Sequence, residues 1–190
     1  MLVGLILAAG SGSRMGQPKA IVEVAGERLI DRAISNFHHA GIKEVYVVLG
    51  AWVGELPGVK VIVNPDWAEG MGSSLRAGLT ALMADESITE VVVSLVDLPG
   101  MTPAALAALA SSPAELAMGS YGGKSGHPVK FARTHWPAII ESAVGDQGAR
   151  DYLKGRSDIT LIALDGLATD GDLDTPEDLE EFQLLHRDSQ

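Results

Sequence analysis

The chain has 190 residues, with 14 basic against 25 acidic side chains, a formal charge of −11 and a pI near 4.7. Such an acidic surface repels phosphate backbones and argues against a general nucleic-acid binder, while the absence of cysteine removes thiol nucleophiles, cysteine–zinc sites, iron–sulfur clusters and disulfide scaffolds. With 46% hydrophobic and 21% charged residues the composition is far from disordered, and no apolar run reaches the ~18 residues that span a bilayer.

Strands and helices alternate from the start. Leu2 to Ala8 is an apolar run of strand length closed by Gly10, Gly12 and Gly16. It lacks the positive start of a signal peptide, so it reads as a buried strand of a cytoplasmic protein. Leu29, Ile30, Ala33, Ile34 and Phe37 recur at helical spacing up to Gly41. Val45 to Leu49 and Val59 to Val63 are further strands, a helix begins at Ser73, and Val91 to Val96 is another buried strand. Thr102-Pro103 opens an Ala/Leu helix by the N-cap and proline rules. Residues 115 to 131 read as short strands around Gly122-Gly123, Ile159 to Leu164 as a strand, and Thr175-Pro176-Glu177-Asp178 as the start of a final helix. Apolar strands separated by helices predict one α/β domain over residues 1–190, with a mainly parallel sheet covered on both faces.

Ligands of such open sheets sit beyond the carboxyl ends of the strands. The first loop, Leu7-Ala8-Ala9-Gly10-Ser11-Gly12-Ser13-Arg14-Met15-Gly16-Gln17-Pro18-Lys19, matches neither the dinucleotide fingerprint nor a Walker loop. Its glycines let backbone N–H groups close around an anion, and Arg14 and Lys19 add two charges; a plain strand-to-helix turn with two solvated cations fits equally. The second loop, Asn64 to Leu75, brings Gly70, Gly72, Ser73 and Ser74 to a helix start. Ser73 reads as the helix cap, leaving Ser74 as a candidate ligand contact. In the third loop, Asp97-Leu98-Pro99-Gly100, a carboxylate directly follows a buried strand, where a Mg²⁺ ligand is expected; a turn aspartate before Pro-Gly is the plainer alternative.

Between Glu115 and Glu141 there is no acid, while Lys124, His127, Lys130 and Arg133 fall inside, around Gly126-His127-Pro128-Val129. This stretch fits a seat for a second anionic substrate, or an edge strand with solvated lysines. Residues 165 to 181 are the reverse, acids without a cation. Most suit a helix N-terminus, with Asp174 the candidate second metal carboxylate and Asp172 the lesser one. His38, His39, His135 and His186 show no metal spacing, and Trp52, Trp67 and Trp136 read as packing residues.

Taken in order, Leu7-Ala8-Ala9-Gly10 through Arg14-Met15-Gly16 and Pro18-Lys19, Asn64-Pro65 through Gly70-Met71 to Ser74-Leu75, Asp97-Leu98-Pro99, Gly126-His127-Pro128-Val129, Asp146-Gln147-Gly148-Ala149-Arg150 and Asp174-Thr175-Pro176-Glu177-Asp178-Leu179 resemble the small nucleotidyltransferases of the molybdenum cofactor family. That resemblance implies a three-layer α/β/α sandwich of the nucleotidyltransferase (glycosyltransferase-A-like) fold. It also implies transfer of a nucleoside monophosphate from an NTP to an acceptor phosphate. By the same resemblance the first loop, with Gly10, Gly12, Ser13, Arg14 and Lys19, holds the triphosphate, Asp97 holds Mg²⁺, with Asp174 the candidate second carboxylate from the acidic stretch, and the base lies against Leu7, Ala8 and the Gly72–Ser74 turn. Gly126, His127, Pro128, Asp146, Gly148 and Arg150 receive a pterin acceptor. Ala9 stands where guanylyl-transferring relatives have glycine, so the Ala8-Ala9-Gly10 loop looks like the CTP-using type. A molybdenum hydroxylase is the implied downstream partner. Sugar-phosphate and methylerythritol-phosphate nucleotidyltransferases share the first loop, so another NTP or phosphate acceptor remains an alternative, as does a non-catalytic cofactor-binding maturation protein.

Overall fold

The computed structural model describes residues 1–185; His186 lies outside them. Its frame is a seven-stranded sheet in the order β5-β4-β1-β6-β8-β7-β9. The strands are β1 (Leu2–Leu7), β4 (Val45–Leu49), β5 (Lys60–Val63), β6 (Glu90–Leu95), β7 (Leu116–Tyr121), β8 (Lys124–Ala132) and β9 (Thr160–Ala163). All neighbours pair in parallel except β8, which is antiparallel to β6 and β7. A hairpin of β2 (Glu23–Val24) and β3 (Glu27–Arg28) stands apart.

Strand alternation divides the core. Ile6, Val47 and Val92 face a layer of α1 (Leu29–His39), α3 (Pro103–Ala110) and α6 (Pro176–Leu185); Leu5, Val48 and Val93 face α2 (Met71–Met83), α4 (Trp136–Ser142) and α5 (Arg150–Leu153). Both helical layers close onto β1 where a side chain is missing. A Cβ on Gly4 would lie 2.4 Å from the Phe37 ring of α1, and one on Gly78 of α2 would lie 2.7 Å from Leu5. Among the described residues no helix is long and apolar enough to cross a membrane.

Most element boundaries lie within a residue or two of the sequence expectation, and two local readings change. The helix expected from Ser73 starts at Met71, with Gly70 at the cap, φ +110°, and no side-chain cap bond. Ser73 is inside the first turn, its hydroxyl 2.8 Å and 2.9 Å from the carbonyl oxygens of Asp66 and Gly70. The glycine turns the chain into the helix, so no capping side chain is needed. The 115–131 stretch, in turn, is not an edge: β8 is nine residues long and interior, between β6 and β7. Thr102 does cap α3, its Oγ1 accepting from Ala105 N–H at 3.3 Å, and Thr175 accepts from Asp178 N–H at 3.2 Å ahead of α6.

Candidate active site at the β1/β6 crevice

From β1 the chain crosses through α1 to β4, whereas from β5 it crosses through α2, on the other face, to β6. The reversal opens a crevice between the carboxyl ends of β1 and β6. Because β8 is antiparallel, its first residues, including Gly126, His127 and Pro128, reach the same edge.

The loop after β1 leaves its donors open. Among the described residues, no N–H of residues 10–15 donates to a backbone carbonyl. Gly12 has φ +59°, and a Cβ there would lie 2.0 Å from the Gln17 carbonyl oxygen, so the tight turn requires glycine. Gly16 N–H closes the turn onto Gly12 O at 2.9 Å, and buried Met15 anchors it in the core. Ser13 and Arg14 stay exposed. By contrast Leu7, Ala8 and Ala9 are almost wholly buried, so they offer the crevice little but backbone. The Ala9 methyl lies close to Gly50, where a Cβ would sit 2.9 Å from it, and Trp67 crowds the same glycine, its Cβ 2.4 Å from that position.

Lys19 follows Pro18 on a 3₁₀ turn, Lys19–Ile21. Its ammonium donates to Asp97 Oδ2 at 2.6 Å and to Asp174 Oδ1; Arg14 lies 3.1 Å from Asp174 Oδ2. The two cations of the first loop therefore meet the two candidate metal carboxylates. Burial works to lower the Lys19 pKa, but Asp97 and Asp174 outweigh it and hold the ammonium above its ordinary value. The bond from Lys19, aided by Arg14, holds Asp174 below the usual carboxylate range against its own partial burial.

Asp97 is fixed from several sides. Leu173 N–H donates to Asp97 O at 2.9 Å, Arg32 Nε to Pro99 O at 3.1 Å, and Asn36 Nδ2 to Met101 O at 2.8 Å. Its side chain is 16% exposed, yet Oδ1 is buried without a hydrogen-bond partner. An ionised oxygen in that state is costly unless a cation or donor completes it. Among the described residues no cluster of three or more His, Cys, Asp or Glu forms a metal cage. A pair of carboxylates, one with a free oxygen, instead fits Mg²⁺, which takes one or two carboxylates and fills the rest from water and substrate phosphates.

Asn64, buried at the end of β5, organises the second loop. Its Nδ2 donates to Ser73 Oγ at 2.8 Å and Ser74 Oγ at 3.1 Å, while its Oδ1 accepts from Asp66 N–H at 3.0 Å. Gly72 is needed for packing, since a Cβ there would lie 2.8 Å from Val144 N. The expected acceptor residues form two groups. Gly126, His127 and Pro128 flank the β6 side. Asp146 lies instead against Gly70, where a Cβ would sit 2.5 Å from its Oδ1, and Gly148 lies against Met71. Arg150 is exposed at the start of α5. His127 Nδ1 faces Val93 O at 3.5 Å, and burial pushes its pKa down despite Asp97. Tyr121 donates to His127 O at 2.7 Å, and burial, reinforced by Asp170, pushes its phenol up to about 12.

Two cations of the local basic stretch are committed within the fold. Lys130 is buried, donating to Ser112 O at 2.6 Å and pairing with Glu90 at 2.6 Å. Arg133 ties the carbonyls of Met83, Asp85 and Ile88. Asn64, Arg32 and Asn36 are the residues that sequence reasoning gave no role. Only Asn64 carried a signal, an Asn-Pro pair ending a strand.

An open crevice with a glycine loop, two cations and two carboxylates defines a nucleotide-handling α/β protein. The model of the MobA-like NTP transferase domain matches residues 4–160, and the chain belongs to that family. It is 32% identical over 201 residues to a nicotine blue oxidoreductase of Paenarthrobacter nicotinovorans, covering 97% of this chain and 96% of that one. It is likewise 32% identical to a molybdenum cofactor guanylyltransferase of Rhizobium johnstonii, covering 96% and 91%. Among solved structures, Rv0371c of Mycobacterium tuberculosis in complex with manganese superposes with TM-score 0.78 at 25% identity, covering 96% of this chain and 98% of that one. The fold is the three-layer nucleotidyltransferase fold.

Proposed function

We propose that the protein transfers CMP from CTP to the phosphate of a molybdopterin-type cofactor in the cytoplasm, releasing pyrophosphate and supplying a molybdenum hydroxylase. The observation that carries this reading is the convergence of Arg14 and Lys19 with Asp97 and Asp174 at the crevice edge. An acceptor phosphate oxygen attacks the α-phosphorus, and the bond from that phosphorus to the bridging oxygen of the β-phosphate breaks. Both partners are anions: two unit charges ~4 Å apart repel by ~4 kcal/mol at an effective dielectric near 20. The chemical task is thus charge neutralisation and in-line positioning rather than protein nucleophilic attack.

The open N–H groups of the first loop with Arg14 and Lys19 hold the β- and γ-phosphates. Asp97 and Asp174 would hold the divalent ion, which when bound neutralises charge on the phosphate oxygens. Ser74, oriented by Asn64, faces the base, while Gly126, His127 and Pro128, with Asp146, Gly148 and Arg150, receive the pterin. His127 stays neutral, so it donates or accepts a hydrogen bond without adding charge. CTP is favoured because Ala9 replaces the glycine of guanylyl-transferring relatives. With its methyl close to Gly50, which Trp67 also crowds, Ala9 would act on base size through the loop that carries Trp67, not by direct contact.

Thermal unfolding with CTP, GTP, ATP and UTP, each with and without Mg²⁺, tests this. Ligand at 100 times its Kd stabilises by ~2.7 kcal/mol. A Mg²⁺-dependent shift largest for CTP is expected. A larger shift with another nucleotide moves the specificity, and no shift with any leaves a non-catalytic cofactor-binding role.

A further inference from the structure

Resting on the nucleotidyltransferase reading, we propose that Lys19 is a tethered cation that holds the Asp97–Asp174 pair closed, so that a divalent ion enters only when nucleotide draws the ammonium away. The Lys19 ammonium bonds one oxygen of each carboxylate at once, with Lys19 and Asp97 largely shielded from solvent and Asp174 partly so. Arg14 takes the other oxygen of Asp174, so two positive charges already offset the two carboxylates. A free divalent ion must therefore displace an ammonium that sits between its own ligands, and at these separations the ammonium and the ion repel strongly.

The lysine is built to move. It is attached by a flexible four-carbon stem and follows the loop whose N–H groups donate to no backbone carbonyl among the described residues. A triphosphate bound there offers the ammonium a more highly charged partner than either carboxylate. Once the ammonium turns to it, Asp97 has both oxygens free, because Oδ1 has no partner even beforehand. Asp174 does not follow, for Asp178 Oδ2 accepts the N–H groups of Asp174 and Thr175 at 3.0 Å and 2.7 Å and fixes the backbone there. Metal and nucleotide are then coupled, each raising the affinity for the other by the same factor. The same device keeps stray divalent ions from occupying the site alone.

The test is Mn²⁺ binding to the nucleotide-free chain, followed by calorimetry, in the wild type, Lys19→Met, Lys19→Arg and Lys19→Met/Asp97→Asn. Lys19→Met should bind Mn²⁺ at least tenfold more tightly than wild type, Lys19→Arg should stay weak, and adding Asp97→Asn should abolish the gain. If Lys19→Met binds Mn²⁺ no more tightly than wild type, the proposal falls. Binding of a non-hydrolysable CTP analogue with Mn²⁺ to wild type is read separately. Its persistence in that case leaves the nucleotidyltransferase reading intact, whereas its absence alongside a gain in Lys19→Met overturns the reading and keeps the exclusion. A second measurement needs no variant. The ¹⁵N-edited signal of the Lys19 ammonium should move on adding the analogue and stay put with Mg²⁺ alone; movement with Mg²⁺ alone overturns the proposal.

Discussion

Asp97 Oδ2 accepts from Lys19 at 2.6 Å while Oδ1 accepts nothing, an arrangement that fits the ligand role proposed for this side chain. Asp97→Asn should lower nucleotidyl transfer by about 10²-fold or more, the scale of losing one electrostatic stabiliser. It should leave the thermal midpoint nearly unchanged, because the lost ion pair is offset by relief of a buried, unpaired oxygen. Steady-state transfer and thermal unfolding of the same preparation check both halves. The neighbouring titrations have opposite signs. Asp174, with its depressed pKa, contributes stability that is present above the ordinary carboxylate range and lost as pH falls through its folded value. Lys19, with its raised pKa, contributes stability that is present below its ordinary 10.5 and lost as pH rises through its folded value. Their pair is thus intact from mildly acidic to mildly alkaline pH. His127, depressed by burial, adds nothing above its ordinary 6.5. Below that the unfolded chain takes up a proton that the folded chain resists, so stability declines as pH falls toward the folded value. His127→Gln should flatten that decline between pH 6.5 and 5 in a series of urea titrations.

Among the elements, the β2–β3 hairpin turns through Ala25 and Gly26 with φ of +52° and +81°. A two-residue turn with both φ positive suits Asn-Gly, and alanine in the left-handed region costs about 1 kcal/mol. Ala25→Asn should therefore raise the melting temperature by roughly 2 °C. Asn64 works the other way. Asn64→Ala strips donors from Ser73 and Ser74 and should cost roughly 1–3 kcal/mol, with a raised KM for nucleotide. The contrast explains what was legible. Strands such as Val45–Leu49 announce themselves, since both faces are buried and every residue is apolar. The pairing of Lys19 with Asp97 and Asp174 was only half visible. Charge at the end of a buried strand marks each residue separately, but 155 positions separate Lys19 from Asp174, and no local pattern reports a contact that the sheet order creates. A serine before an apolar run is the usual cap, whereas here Gly70 makes the turn and Asn64 uses the Ser73 hydroxyl. The roles of Lys130 and Arg133 were hidden for the same reason: whether β8 is interior or an edge is set by strand order, not by its own residues.

At the scale of the whole molecule, a charge of −11 surrounds the crevice proposed to take polyanions. Several cations that could help are committed: Lys130 is buried, Arg133 ties carbonyls, and Arg28, Lys60, Arg76 and Arg156 pair with acids. On the proposed function, attraction to nucleotide is then short-ranged, supplied by Arg14, Lys19 and open N–H groups rather than by a long-range field. Raising ionic strength screens the general repulsion over about 10 Å at 0.1 M, while the partly buried pair at Lys19 is screened less. The association rate with nucleotide should therefore rise between 10 and 100 mM salt, the reverse of a positively steered site. Stopped-flow binding of a fluorescent nucleotide reads this directly, and a rate that falls with salt would show that the crevice field dominates. Lowering the pH toward 4.7 removes the same repulsion by another route. It also removes the charge that keeps molecules apart, so light scattering should increase near pH 4.7 while circular dichroism still reports a folded chain. The Asp174 carboxylate, held below its ordinary range, remains ionised there, so dilute protein should still bind nucleotide at a pH where concentrated protein precipitates.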